Sequence, residues 1–175
     1  MASVGRIRPF DPARPKGPLL RGLVQLARLR PITWFLVHVG NRIDPPLMRL
    51  SRGRLRSTIL GPTVLLTHTG ARSGRRRTTP LTYFSDGEDV VLIASAGGAP
   101  NNPAWFHNVT ANPDVELSTG HGDDGAYRAR VARGAERERL WDLATTLYPG
   151  YGDYQRRVPE RRIPVVVCSP RETGA

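Results

Sequence analysis

The sequence predicts a small, mainly β chain with a few helices (α+β), organised as a six-stranded barrel behind an N-terminal helical extension. Three observations lead there. From residue 59 onward, short runs rich in Val, Ile, Leu, Thr and Tyr alternate with turns containing Gly, Asp, Asn or Pro, the pattern of consecutive antiparallel strands. Helices do not follow the strands one by one, so the βαβ rhythm of a doubly wound parallel sheet is missing. Apolar residues make up 39% of the 175 and concentrate in this region, enough for one core in one domain.

Residues 1–18 carry Pro9, Pro12, Pro15 and Pro18 among charges and are expected to form a disordered or extended arm. Residues 19–58 are expected to form basic amphipathic helices. Leu20, Leu23, Val24 and Ala27 recur at helical spacing, Pro31 interrupts, residues 32–39 resume, and Asp44-Pro45-Pro46 stops or restarts the run. Arg21, Arg28, Arg30, Arg42, Arg49, Arg52, Arg54 and Arg56 flank the apolar positions. Such a segment can lie on an anionic membrane surface, or pack against the domain or a second subunit with a solvated basic face.

The barrel domain is expected over residues 59–170. Its strands are expected at 63–69, 79–84, 90–95, 115–119, 127–132 and 163–168. Asp86-Gly87 marks a hairpin turn between the second and third, and the third is apolar throughout, hence central. A short helix at 103–111 has Asn102 placed as N-cap and Pro103 at its first position. A longer helix at 136–147 sets Leu140, Leu143, Ala144 and Leu147 on one face. Residues 148–154 read as a loop or a broken helix.

The net charge is +11, and Lys16 is the only lysine among 26 basic residues. That balance suits a polyanionic small molecule, an acidic membrane surface or nucleic acid. Nucleic acid is not expected, because the aromatics are not interleaved with the arginines as a stacking surface requires. The single cysteine, Cys168, excludes an internal disulfide and fits a reducing compartment; its apolar run makes it a buried structural thiol. No stretch of 18 apolar residues is present, nor a signal-peptide pattern. The expected location is the cytoplasm, with peripheral contact at the inner face of the cell membrane through the basic helices as the alternative. His38, His68, His107 and His121 do not pair at metal-ligand spacing, so no metal is expected. No nucleophile elbow, Walker loop or dinucleotide fingerprint occurs. Asp123-Asp124 reads as a solvated turn. This leaves binding, or redox chemistry carried by a cofactor.

The stretch from Thr67 to Leu81 is the candidate ligand grip. Two glycines, Gly70 and Gly74, let the chain turn sharply and aim N–H groups at one point. Arg72, Arg75, Arg76 and Arg77 add forked cationic donors that suit phosphate or carboxylate. The bland alternative is a solvated arginine turn.

Thr69-Gly70-Ala71-Arg72-Ser73-Gly74 with Arg77-Thr78-Thr79-Pro80-Leu81 resembles the deazaflavin-dependent nitroreductase family. So do Ala94-Ser95-Ala96-Gly97-Gly98-Ala99-Pro100, Asn102-Pro103-Ala104-Trp105-Phe106-His107-Asn108 and Ala111-Asn112-Pro113. The likeness runs in order from about residue 44 to 168. It implies a PNP-oxidase-like split β-barrel that binds coenzyme F-420, an 8-hydroxy-5-deazaflavin with a phosphodiester and an oligoglutamate tail. It implies hydride transfer from the reduced coenzyme to a small electron-poor acceptor such as a quinone or nitroaromatic.

By the same resemblance, Arg72 and Arg77 would meet the phosphate and tail, with Ala71 and Ser73 lending backbone or hydroxyl donors. Thr78, Thr79, Pro80 and Leu81 would line the deazaflavin, and Ile93, Ala94, Ser95 and Ala96 would pass beneath it. Trp105 and Asn108 would close the pocket. Tyr148, Tyr151 and Tyr154, spaced three apart, would shape the acceptor site; Tyr151 could also touch the coenzyme, and Ser95 could bond the acceptor. The alternative for the three tyrosines is a packing stripe, while Gly150 and Gly152 argue for a mobile lid. Two positions depart from the family pattern: Ala71 stands where an arginine is frequent, and Thr82 where a larger residue is common. Two other functions stay open at this point: a non-catalytic module holding F-420, flavin or a tetrapyrrole-like ligand, and a nucleic-acid-binding basic protein. The oligomeric state is left undetermined.

Overall fold

The computed structural model describes residues 7–12, 62–120 and 123–171. The basic helices expected at 19–58 and the membrane contact expected of them lie outside the described residues. Six antiparallel strands form a closed barrel in the order β1-β2-β3-β6-β5-β4. They are β1 (Thr63–Thr69), β2 (Arg76–Asp86), β3 (Asp89–Ile93), β4 (Asp114–Ser118), β5 (Gly125–Val131) and β6 (Val165–Pro170). Among the described residues three α-helices accompany them: α1 (Ala104–Ala111), α2 (Gly134–Leu147) and α3 (Gly150–Arg157).

Strand alternation sorts the side chains into two cores. Val64, Leu66, Tyr83, Val90, Leu92, Ala94, Leu117, Tyr127, Ala129, Val166 and Cys168 fill the barrel, capped by Trp105 and Val109 of α1. Phe84, Val91, Ile93, Val165 and Val167 point the other way. They bury against Leu140, Ala144 and Leu147 of α2 and the tyrosines around α3. β3 and β6 are therefore covered on both faces, which is why their sequences are continuously apolar. Cys168 is fully enclosed, and burial pushes its thiol up to about 12, so it stays an inert protonated group at neutral pH.

Several boundaries differ from the sequence expectation. β2 begins at Arg76 because its pairing with β1 runs to Thr69↔Arg76; long arginine side chains keep their charge in water while their backbone pairs. Pro103, not Asn102, holds the cap position of α1, and Asn102 Oδ1 instead accepts a bond from Arg161. The loop or broken helix at 148–154 is the helix α3, starting at Gly150. Asp123 differs from the solvated turn residue expected: its carboxylate accepts from the Thr119 N–H at 3.0 Å and the Thr119 hydroxyl at 2.6 Å.

Within the arm, residues 7–12 form neither helix nor strand and are tied to the barrel. Ile7 is buried and its N–H donates to the Tyr127 hydroxyl at 2.9 Å. The Tyr83 hydroxyl donates to Arg8 O at 2.9 Å. Phe10 N–H donates to Ser85 Oγ and Ser85 N–H to Phe10 O. Among the described residues no helix is long and apolar enough to cross a membrane.

Candidate active site

β1 and β2 are joined by the turn at residues 70–75. Gly70 N–H donates to Arg75 O and Gly74 N–H to Gly70 O, each at 2.9 Å. Ala71 N–H donates to Asn108 Oδ1 at 2.9 Å, and Arg75 N–H approaches Ser73 Oγ at 3.4 Å. Most backbone donors of the turn are thus spent inside the protein. This corrects the expectation that Ala71 lends a backbone donor to the ligand, and the Gly70 and Gly74 N–H groups are likewise used inside the turn. What the turn presents to solvent is guanidinium. Arg72, Arg75 and Arg77 are exposed and have no carboxylate partner among the described residues, whereas Arg76 pairs with Glu116 at 2.5 Å. Fixed cations left unpaired on a turn suit an anion.

The quartet Thr78, Thr79, Pro80 and Leu81 does not form one lining. The register pairs Thr78 with Thr67 and Pro80 with Leu65, but Thr79 with Leu66 and Leu81 with Val64. Directly opposed residues share a face, so the quartet is split between faces. Thr79 and Leu81 turn to the barrel side, where Leu81 packs against the interior cluster. On the other face, Thr78 Oγ1 lies 3.1 Å from Thr67 Oγ1, beside a cleft of about 320 Å³ lined by Leu65, Thr67, Thr78, Glu116 and Ser118, among others. The same alternation separates Ile93, in the core under the helices, from Ala94, in the barrel.

After β3 the chain passes through Ala94 and Ser95 into a 3-10 turn at Ala96–Gly98. Ala96 has φ 49°, in the left-handed region that disfavours a side chain. A guanidinium holds this segment. Arg161 Nη2 donates to Ser95 O at 2.7 Å, and Nη1 donates to Ala94 O at 3.2 Å and to Asn102 Oδ1 at 2.5 Å. Gly98 lies against Tyr154 of α3, where an added Cβ would be 3.1 Å from the Tyr154 Cα. Ser95 is buried in this setting.

Trp105 and Asn108 share one side of α1 but do different things. Trp105 is a core tryptophan, in the barrel cluster with Ala94. Asn108 reaches the turn through Ala71 N–H and, by Nδ2, lies 3.2 Å from His68 Nδ1. His68 Nε2 in turn lies 3.2 Å from Thr79 Oγ1. His68 is 3% exposed. Burial, then the Arg77 charge, hold its pKa below 6.5.

Tyr148, Tyr151 and Tyr154 form one cluster. Their ring centroids lie 5.3 Å (148 to 151), 5.9 Å (148 to 154) and 6.2 Å (151 to 154) apart, all edge-on. The Tyr148 and Tyr154 hydroxyls are 3.2 Å apart. All three are buried against the barrel's outer face, as a packing stripe would be, and Gly150 is the spot where the Tyr148 ring folds onto the α3 backbone. Burial, then Tyr154, push the Tyr151 phenol well above its ordinary value. It stays a neutral hydrogen-bonding group.

Two residues of this region were not singled out in the sequence as parts of the site. Arg161 sits in a Glu-Arg-Arg run that reads as solvated surface, and nothing local marks which arginine turns inward. His68 lies inside the Thr67–Leu81 stretch, but its sequence neighbours give it no role of its own there.

Residues 41–170 match the model of the F420H(2)-dependent quinone reductase family. The chain belongs to that family. A protein named F420H(2)-dependent quinone reductase from Mycobacterium tuberculosis (strain H37Rv) is 39% identical over 145 residues, covering 79% of this chain and 97% of its own. A Mycobacterium bovis protein of the same description, marked putative in its name, matches equally. Among solved structures, an F420-H2-dependent reductase (FDR-A) is 40% identical with a TM-score of 0.55, covering 62% of this chain and 94% of its own. A protein described as a domain-swapped dimer is 38% identical with a TM-score of 0.56, covering 65% and 84%. The family resemblance read from the turn and the Ala94–Asn108 motifs holds, and the quinone reductase family member described here is an oxidoreductase.

Proposed function

We propose that this chain is an oxidoreductase that uses reduced coenzyme F-420 to reduce a quinone or another electron-poor acceptor. The observation that carries its coenzyme site is the set of exposed guanidinium groups at Arg72, Arg75 and Arg77, without a carboxylate partner among the described residues, which fits a ligand with a phosphodiester and carboxylate tail. When bound, the coenzyme supplies the hydride, from C5 of its deazaflavin ring.

The chain's own part is binding and orientation. Arg72, Arg77 and the Ser73 hydroxyl are assigned to the phosphate and tail. Thr78 and Pro80, which share the outer face, and the backbone of residues 94–96 are assigned to the ring, with Arg161 fixing the course of Ala94 and Ser95 and with Trp105 and Asn108 backing the pocket. Tyr148, Tyr151 and Tyr154 are assigned to the acceptor side. Tyr151, a phenol protonated at neutral pH, is proposed as a hydrogen-bond donor, with solvent as the source of the proton that follows the hydride. For residues 19–58, membrane contact and packing remain the two readings; flotation of the protein on anionic liposomes, with and without residues 1–40, separates them.

The test is titration of the protein with purified coenzyme, followed by acceptor-dependent oxidation of its reduced form. Micromolar binding and turnover with quinones are expected. Arg72→Ala and Arg77→Ala should each weaken binding roughly 10-fold, the worth of one charge-assisted bond, while Tyr148→Phe should alter turnover and spare most of the binding. Absence of binding at micromolar coenzyme sinks the proposal; tight binding without hydride transfer to any acceptor converts it into a binding module.

A further inference from the structure

The turn that bears the arginines is fastened from behind by a chain of hydrogen bonds whose direction can be worked out. Ala71 N–H is a backbone donor and can only donate, so the Asn108 atom it meets at 2.9 Å is the carbonyl oxygen, Oδ1. Asn108 Nδ2 is then the atom facing His68 Nδ1 at 3.2 Å. An amide nitrogen donates and does not accept, so His68 Nδ1 must carry a lone pair. The neutral ring therefore has its proton on Nε2, which donates to Thr79 Oγ1 at 3.2 Å. One ring thus ties together the end of β1, the start of β2 and the helix α1, and orients the amide that holds the turn.

We propose that His68 is a positioning residue for coenzyme binding: as the neutral Nε2–H tautomer it orients Asn108, Asn108 holds Ala71, and protonation of the ring releases the turn and lowers affinity for the coenzyme. The proposal rests on the assignment of the 70–75 turn to the coenzyme's phosphate and tail.

Protonation puts hydrogen on both ring nitrogens. Nδ1–H then faces Asn108 Nδ2, donor against donor. Rotating the amide to mend that contact would set Nδ2 against Ala71 N–H, a second donor clash. Every arrangement loses one bond, and the bond to Ala71 is the one at the exposed end. The charged groups around the ring reinforce this. From β2, Arg77 sits opposite His68 in the register and disfavours a second cation. The cleft that His68 lines also holds Arg76, Asp114, Glu116 and Arg171. There Arg76 pairs with Glu116, and Asp114 is shared by Arg171 and by Arg128 of β5, so the carboxylates are taken up by arginines. α1 contributes the neutral Asn108 at the ring, and its own histidine, His107, is exposed.

The experiment combines nitrogen-15 NMR of the His68 ring, hydrogen exchange at the Ala71 amide, and oxidised coenzyme F-420 titrated by its fluorescence across the His68 titration. The expected result is a bare Nδ1 and protonated Nε2 in the free protein at neutral pH. Ala71 protection, corrected for intrinsic exchange, should fall as His68 protonates. Coenzyme Kd should rise by roughly 3- to 10-fold over the same interval, the range of one net hydrogen bond. His68→Asn, whose Oδ1 can stand near the Nδ1 position but does not titrate, should keep Ala71 protected and flatten that interval. His68→Leu should bind weakly at both ends of it.

An Nδ1–H tautomer overturns the proposal. So does Ala71 protection that ignores His68, or a pH dependence of Kd that persists in His68→Asn. Should His68→Leu not fold, the unaltered protein and His68→Asn still decide the matter. Failure of the coenzyme to bind at any pH, with Ala71 still following His68, overturns the coenzyme assignment while the hold on the turn stands.

Discussion

At the scale of single residues, direction matters more than identity. Arg161 is one of many arginines in a chain of net charge +11, yet its forked head satisfies Ala94 O, Ser95 O and Asn102 Oδ1 together. Replacing it with Ala leaves these acceptors without their charged partner in a partly buried place. The expected cost is at least about 3 kcal/mol in denaturant unfolding, since bonds to charged groups contribute about 1.5–3 kcal/mol each and three are lost. Arg161→Lys should recover only part of that, because an ammonium cannot reproduce the planar fork. Coenzyme affinity should fall in both, as Ser95 and the left-handed Ala96 lose the clamp that fixes them. His68 makes a second prediction. Its folded pKa lies below 6.5, so at pH just under that value the unfolded chain binds more protons than the folded one. Its contribution to stability is therefore complete above about pH 6.5 and is lost as pH falls through the folded pKa. Thermal unfolding at stepped pH should show that slope, and His68→Asn should remove its share. A Tm that stays flat in the unaltered protein below pH 6.5 would contradict the linkage.

At the scale of elements, the hairpin rhythm was legible because apolar alternation and Asp86-Gly87 are strong local signals, and the expected bounds of β1 match the observed ones. α3 was not legible as a helix. Gly150 and Gly152 lower its intrinsic propensity, and tertiary packing decides instead: Tyr151 and Tyr154 bury with Tyr148 into the core outside the barrel. The glycine that looked like a hinge is a packing requirement. Gly150 lacks a side chain because Tyr148's Cζ and hydroxyl occupy that space. Gly150→Ala should therefore destabilise by about 1–3 kcal/mol, the usual cost of overpacking, despite the better helix propensity of alanine. It should also shift the near-ultraviolet signal of the tyrosines and change acceptor turnover more than coenzyme affinity. A stabilised Gly150→Ala protein would show that the ring moves aside freely. The candidate site was legible to the same extent. Residue types at the turn and after β3 identified the family, but which strand face each side chain takes depends on register, which one sequence does not display. That is why Thr78 and Thr79, adjacent and alike, end on opposite faces.

At the scale of the whole molecule, the barrel is closed by hydrogen bonds but finished by the segment at 7–12. Ile7 enters the barrel cluster and Phe10 packs against both cores, while Tyr83 and Tyr127 each use a hydroxyl on the segment's backbone. Proline content and charge marked this region as an arm, and nothing in its composition revealed that it docks, because the partners lie at positions 83, 85 and 127. Docking of so short a segment is close to balanced. Burying one aliphatic side chain contributes about 1.5–3 kcal/mol, each hydrogen bond about 1 kcal/mol, and ordering each residue costs about 1–2 kcal/mol. Ile7→Ala should then release the segment locally rather than unfold the barrel. The expected signature is a large loss of hydrogen-exchange protection at the Ile7 and Phe10 amides, with global stability lowered by about 1–2 kcal/mol, less than a core truncation such as Leu92→Ala at about 2–5 kcal/mol. Equal global losses for the two variants would mean that the segment belongs to the barrel's own cooperative unit. Protection that survives Ile7→Ala would mean that the backbone bonds to Ser85 and Tyr127 hold the segment without its anchor.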